Sequence, residues 1–288
     1  MKFTRRHLLA APAAAPFAFA AAEISAGKGR LRSAICAYSY RNELAKKTMT
    51  YEDLIRKASD WGVEGLDLTV YWFPNTEDSF LLPLKRLAYR SGVELYSISV
   101  RTNMCQPTAE LQQKEIVELR KWIDAAAKLG AGHIRVFGGT VPKGNSEDEA
   151  AGWVVRVLGE AAQYAASRGV ILGLENHGGI TDKADRIVEI VKKVDSPWVA
   201  VNLDTGNFRT QVYEQIAKLV PYAVNVQVKA DLVEDGKRME GDWDRVAGML
   251  VKQGYKGYLA VEYEAKEDVS TAMPKMLARL NSVIKRTA

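Results

Sequence analysis

The chain has 288 residues, a formal net charge of +5 and two cysteines. Lys2, Arg5 and Arg6 lie before Ala22 with no acidic residue among them, so the rest carries only +2 and no Lys/Arg-rich stripe, which excludes nucleic acid as a partner. Cys36 and Cys105 are too few for a disulfide scaffold and read as buried free thiols in apolar runs, although an oxidising compartment would permit them to pair.

The first segment reads MKFTRRHLLAAPAAAPFAFAAAE. A basic stretch holding Arg5-Arg6 precedes an Ala-rich apolar run, and Ala20, Ala21 and Ala22 offer a cleavage site. This is the pattern of a twin-arginine secretory signal over residues 1–22, ahead of one domain over residues 23–288. The alternative is an N-terminal anchor, but Pro12 and Pro16 break a run already short for a span. The mature protein is expected in the periplasm or outside the cell, without stable membrane insertion.

Downstream, one unit repeats. Strand-like runs occur at LRSAICAYSY, VEGLDLTV, VELYSISV, HIRVFGG, VILGLEN, WVAVNLD, AVNVQVK and YLAVEYE. Helical patterns lie between them, among them residues 51–61, 110–129, 150–168, 183–194 and 242–253. Several end on a Gly that leads into the next strand, as in KLGAGHIRV and SRGVILGLE, because Gly supplies the left-handed turn that closes a helix. Eight such units predict an α/β fold, a (β/α)8 TIM barrel. A doubly wound open sheet would want a Gly-rich loop after the first strand, and CAYSYRNEL has no glycine.

A barrel strand turns one face to the helices and the other to the interior. In VNVQVKAD the valines suit the helix layer, which leaves Asn225, Gln227 and Lys229 inward. The same period-two reading puts Glu175 and His177 of ILGLENH, Asn202 and Asp204 of VAVNLD, and Glu262 of LAVEYE inward. Four successive strands thus aim Glu175, Asp204, Gln227 and Glu262 at the C-terminal mouth. Three carboxylates there raise one another's pKa unless they share protons or meet a cation. An all-oxygen donor set predicts a hard divalent metal, Mn2+ or Mg2+, with Zn2+ or Co2+ less suited. Each residue alone has a plainer reading. A strand-end Glu caps loops, Asp204 in LDTGN forms an Asx-turn, and Gln227 is a satisfied core amide. His177 is a donor to a metal ligand, a substrate contact, or a core histidine bonded to a backbone carbonyl. Lys229 is an oxyanion partner or a salt bridge to one of the carboxylates.

The motifs LGLENHGG, VNLDTGN, VNVQVKAD and GYKGYLAVEYE resemble the xylose isomerase-like barrels, the sugar phosphate isomerases and epimerases. The resemblance covers nearly all of the chain after the signal and is strongest from Val170 to Glu264. It implies one divalent metal held by Glu175, Asp204 and Glu262, with Gln227 standing where His is commoner. Members similar to hydroxypyruvate isomerase carry Gln there. The resemblance also implies that Glu175 and Glu262 are the acid and base. Ketose 3-epimerases place His three residues after the Asp, where this chain has Asn207, which joins His177 and Lys229 as a candidate substrate contact. The fold's DNA-repair endonucleases need a histidine cluster, and only His133 and His177 follow the signal.

The implied chemistry is removal and return of a proton beside a carbonyl, through an enediolate. Tyr38 and Trp72 are candidates for a sugar-facing wall, with Tyr40 and Tyr71 beside them, against a reading as ordinary packing. The expected partner is a small sugar or keto acid, and an oligomer is left open. Three classes remain at this point: an isomerase or epimerase, a lyase or dehydratase acting on oxidised sugars or glycosides, and a non-catalytic sugar-binding barrel.

Overall fold

The computed structural model describes residues 30–287. The signal read at residues 1–22 lies outside them. Each repeating unit folds as its pattern predicts: an apolar strand, a turn, and an amphipathic helix that returns over it. The strands are β1 (Arg32–Cys36), β2 (Gly65–Thr69), β3 (Glu94–Ser99), β4 (His133–Phe137), β5 (Ile171–Glu175), β6 (Val199–Asp204), β7 (Ala223–Val228), β8 (Asp231–Glu234), β9 (Lys237–Glu240) and β10 (Tyr258–Val261). The helices are α1 (Arg41–Ala45), α2 (Tyr51–Asp60), α3 (Asp78–Arg90), α4 (Ala109–Leu129), α5 (Glu147–Arg168), α6 (Ala184–Val194), α7 (Val212–Leu219), α8 (Trp243–Lys252) and α9 (Val269–Thr287).

Eight parallel strands close in the order β1-β10-β7-β6-β5-β4-β3-β2, a (β/α)8 barrel. Successive barrel strands pair in parallel, each joined to the next by a helical crossover. Gly130 and Gly169 end α4 and α5 in the left-handed conformation, with φ of +88° and +70°. Thr50 and Ser146 open α2 and α5 with reciprocal capping boxes. No helix among the described residues is long and apolar enough to cross a membrane. Cys36 and Cys105 are both free and buried.

Parity sorts the side chains. Leu66, Leu68, Ile98, Leu172, Leu174, Val201, Leu203, Val226, Val228, Leu259 and Val261 point to the helix layer and are fully buried. The interior is layered. At its N-terminal end Tyr96 and Tyr258 stack at 3.8 Å beside Ala34, Cys36 and Ala260. Both Tyr96 and Ser97 reach the interior because a bulge in β3 sets two residues against one on β2. Above them lies a polar layer of Asp67, Ser97, Ser99, His133, Asn202, Asn225 and Gln227. Most of its hydrogen bonds are internal: Ser97 and Ser99 donate to Asp67, and Asn225 donates to Asn202 while accepting from the Tyr96 hydroxyl below. The expected barrel therefore has a hydrogen-bonded polar floor under its mouth.

One element departs from the repeat. Strands β8 and β9 form an antiparallel hairpin between β7 and α8, closed by Asp235-Gly236. Both turn residues have positive φ, +49° and +78°, as a two-residue hairpin turn of this twist requires.

Candidate functional site

The mouth is assembled by the last residues of the late strands. Glu175 ends β5, Asp204 ends β6, Lys229 follows β7 and Glu262 follows β10. Register aligns them, since Asp204 pairs with Gln227 across β6 and β7, and Val261 pairs with Val228 across β10 and β7. All four charged residues are buried, at 3%, 1%, 7% and 7% exposure in that order. Ionised groups this dry persist only if they are paired.

Two cations do the pairing. Arg135 reaches inward from β4 and sets Nε 2.9 Å from Glu175 Oε2. Its guanidinium also donates to the Tyr71 hydroxyl and the Val100 carbonyl, each at 3.1 Å. The other Glu175 oxygen lies 2.7 Å from His177 Nδ1 and accepts from Asn207 Nδ2 at 2.9 Å. His177 stacks on Phe137 at 3.9 Å, which fixes its ring over the carboxylate. Lys229 Nζ stands 2.6 Å from Glu262 Oε1 and 3.2 Å from Asp204 Oδ2, and it also pairs with Glu264.

The electrostatics follow from these contacts. Burial pushes Asp204 up to about 7; Lys229 pulls it down, while Glu262 and Glu175 push it further up. Burial also acts to raise Glu262, but Lys229 and Arg135 outweigh it and hold the carboxyl below its ordinary range. Burial would lower Lys229, yet Asp204, Glu262 and Glu264 keep its ammonium well above the usual value.

Gln227 is not brought into this group. It is fully buried one layer deeper. Its Oε1 accepts from Asn202 Nδ2 at 2.8 Å, and its Nε2 donates to Asp67 Oδ2 at 3.1 Å. Its amide oxygen already has a partner and is turned from the carboxylates. A divalent ion of the expected kinds, Mn2+, Mg2+, Zn2+ or Co2+, would need those oxygens gathered around an open position. Asp204 Oδ2 lacks a hydrogen bond, which would suit an ion, but the Lys229 ammonium already stands beside it. Among the described residues no three His, Cys, Asp or Glu are grouped to hold a metal. As arranged, the residues do not fit the ion.

A cavity of about 450 Å3 opens over the site, and Glu175, Glu262, Lys229, Arg135, His177 and Asn207 all line it. Tyr38 and Tyr71 form an aromatic wall. Trp72 does not: the turn over Val70–Trp72 sends Tyr71 into the cavity and leaves Trp72 stacked on Tyr38 at 6.2 Å, packed against the core. Tyr40 is a fully buried packing residue. Arg135 was missed as a site residue, though the parity used for the late strands also points it inward, as it does Asp67 of the floor below. A second cavity of about 270 Å3 adjoins the first, sharing Asn207, Arg209, Lys229 and Glu264 and reaching hairpin residues Val233 and Arg238.

The family model described as xylose isomerase-like TIM barrel matches residues 55–282. Among solved structures, a xylose isomerase domain protein from Planctomyces limnophilus is 17% identical with a TM-score of 0.69, over 90% of this chain and 98% of that one. D-Psicose 3-epimerase from Clostridium cellulolyticum H10, determined with D-tagatose, is 18% identical at a TM-score of 0.69, over 89% and 95% of the two chains. The apo form of 3-keto-D-glucoside 4-epimerase from E. coli is 15% identical at a TM-score of 0.70, over 88% and 100%. At these identities the likeness shows the fold alone. No curated protein sequence matches the chain.

Proposed function

Since the chain belongs to the xylose isomerase-like TIM barrel family, we propose that its mouth binds a small sugar or keto acid and moves a proton on it, as an isomerase or epimerase does. The observation that carries this reading is that two buried carboxylates, Glu175 and Glu262, line one cavity together with two buried cations. The sugar epimerases among the similar structures support the substrate class. The twin-arginine pattern supports export, where a substrate without phosphate is the natural choice.

The chemistry uses this chain's own groups. One carboxylate takes the proton from the carbon beside the substrate carbonyl. The electron pair left behind moves onto the carbonyl oxygen, and the Lys229 ammonium faces that negative charge in a dry site. The second carboxylate returns a proton to the opposite face of the same carbon in an epimerase; in an isomerase the proton goes to the former carbonyl carbon, while the adjacent hydroxyl passes its proton to the old carbonyl oxygen and becomes the new carbonyl. Arg135, His177 and Asn207 hold Glu175 in place. The adjoining cavity favours a second reading, in which the same proton removal expels an aglycone lying against the hairpin.

Mass spectrometry in D2O tests both readings, with ketoses, keto acids and 3-keto-glycosides as substrates. Deuterium gained without loss of mass is expected of an isomerase; loss of water or aglycone identifies elimination. Glu175→Gln and Glu262→Gln should each lower kcat by about 10^2- to 10^4-fold while circular dichroism stays unchanged. Full turnover in both variants would remove the carboxylates from the mechanism. No label in any substrate class would end the enzymatic reading.

A further inference from the structure

We propose that Lys229 is the resident cation of this mouth, standing in the position between Asp204 and Glu262 that a divalent ion would otherwise take. Two observations lead there. The ammonium contacts Asp204, Glu262 and Glu264 together, so it already satisfies carboxylates that come from separate strands. Gln227, two residues earlier on β7, has its amide oxygen committed to Asn202 and contributes nothing to an ion at the mouth. The two positions therefore change in one sense: one strand withdraws a neutral donor and inserts a fixed charge.

The surroundings are shaped to hold the lysine there. The Lys229 backbone donates to Thr205 Oγ1 at 3.0 Å, and its carbonyl accepts from Trp243 Nε1 at 2.7 Å. Gly206 lies against the side chain, so that a Cβ there would overlap the lysine stem at Cγ and press on Cβ and Cδ. The loop after β6 thus leaves a groove for the stem, and the stem carries the ammonium into the carboxylates. A lysine that swung out for a metal would vacate a groove built around it.

The consequence is a barrel whose electrophile is part of the chain. A single positive charge would face the substrate oxygen, always present, insensitive to metal supply and chelators. That catalytic role rests on the proton transfer proposed above; the place of the ammonium among the carboxylates does not.

The test is a Mn2+ titration of the chelator-treated full chain by equilibrium dialysis, with melting followed in parallel. The wild type is expected to take up no stoichiometric Mn2+ and to keep its melting temperature. Lys229→Met frees Asp204, Glu262 and Glu264, so it should bind one Mn2+ per chain and melt higher with it. Lys229→Met/Asp204→Asn should lose that ion. One Mn2+ per wild-type chain, abolished by Glu262→Gln, would overturn the proposal, as would a folded Lys229→Met that binds none. If Lys229→Met does not fold, Lys229→Gln replaces it, and the wild-type titration still decides. With a substrate in hand, EDTA should leave wild-type turnover unchanged, while Lys229→Met should lower kcat by about 10^2- to 10^3-fold with KM nearly constant. Failure to find any substrate counts against the proposed function alone, because the Mn2+ result stands without it.

Discussion

Arg135 holds Glu175 in a buried ion pair. A carboxylate only 3% exposed keeps little contact with water, and among the described residues the guanidinium is the permanently charged group paired with it. His177 and Asn207 add hydrogen bonds on the opposite oxygen but no fixed charge. Removing the cation leaves a buried charge uncompensated. Arg135→Met is therefore expected to cost about 3–5 kcal/mol of stability. Urea unfolding measures it, and a loss under about 1 kcal/mol would mean that Glu175 does not depend on the pair. Lysine at this position should not restore the wild type, because one ammonium cannot bridge Glu175, Tyr71 and the Val100 carbonyl in the plane the guanidinium uses. The residue was legible in HIRVFGG: the alternation that turned Glu175 and Asp204 inward also turns His133, Arg135 and Phe137 inward. What strand parity does not carry is depth. It gives Gln227 and Lys229 the same face, yet one lies in the polar floor and the other at the mouth, because partner residues from distant strands set each side chain's reach.

At the scale of elements, the barrel repeats were readable because each strand's apolar face and each helix-ending Gly are local signals. The hairpin β8–β9 was equally local but hidden. DLVEDGKRME alternates weakly, and its four β9 residues are all exposed. Its Asp-Gly turn is the signal that marks it. The close packing between strands was not legible, because it depends on which residues oppose one another. Gly173 on β5 is the clearest case. A Cβ there would overlap His133 Nε2 on β4 and meet Asn202 on β6 at 3.2 Å. His133 is buried and bonded to Ser97, so its ring cannot retreat freely. Gly173→Ala is expected to destabilise the fold by about 1–3 kcal/mol through overpacking, although Ala is the better strand residue. Equal or higher stability in thermal unfolding would show that β4 and β5 yield at this contact.

Over the whole molecule, the distinguishing feature is a barrel interior that is polar from its floor to its mouth. Most of that interior comes from single polar residues on separate strands, each unremarkable alone, and only closure of the barrel makes them neighbours. Asp67 lies on β2, Ser97 on β3, His133 on β4, Asn202 on β6 and Gln227 on β7, and one chain of hydrogen bonds joins several of them. The direction of that chain fixes the state of His133. Ser97 Oγ donates to Asp67 Oδ1, so it accepts from His133 Nδ1–H, and Nε2 is left bare and without a partner. A second proton would sit on Nε2 with no acceptor.

Burial first, and then the Arg135 charge, push the His133 pKa down from 6.5 to about 3. The folded value lies below the unfolded one, so the stability contributed by neutral His133 is complete above pH 6.5. It is lost as pH falls from there toward 3, at about 1.4 kcal/mol per pH unit. Asp204 acts in the opposite sense, since its folded pKa is raised to about 7 and it adds stability as pH falls from 7 toward its unfolded value. The two slopes offset one another in the wild type, so the difference between two proteins is the quantity to measure. His133→Asn keeps an amide donor for Ser97 and removes the titrating group. Urea unfolding of both proteins from pH 7 to pH 5 should show the variant gaining on the wild type by about 1.4 kcal/mol per pH unit below 6.5. A difference independent of pH would mean that His133 titrates normally and that the polar floor admits water.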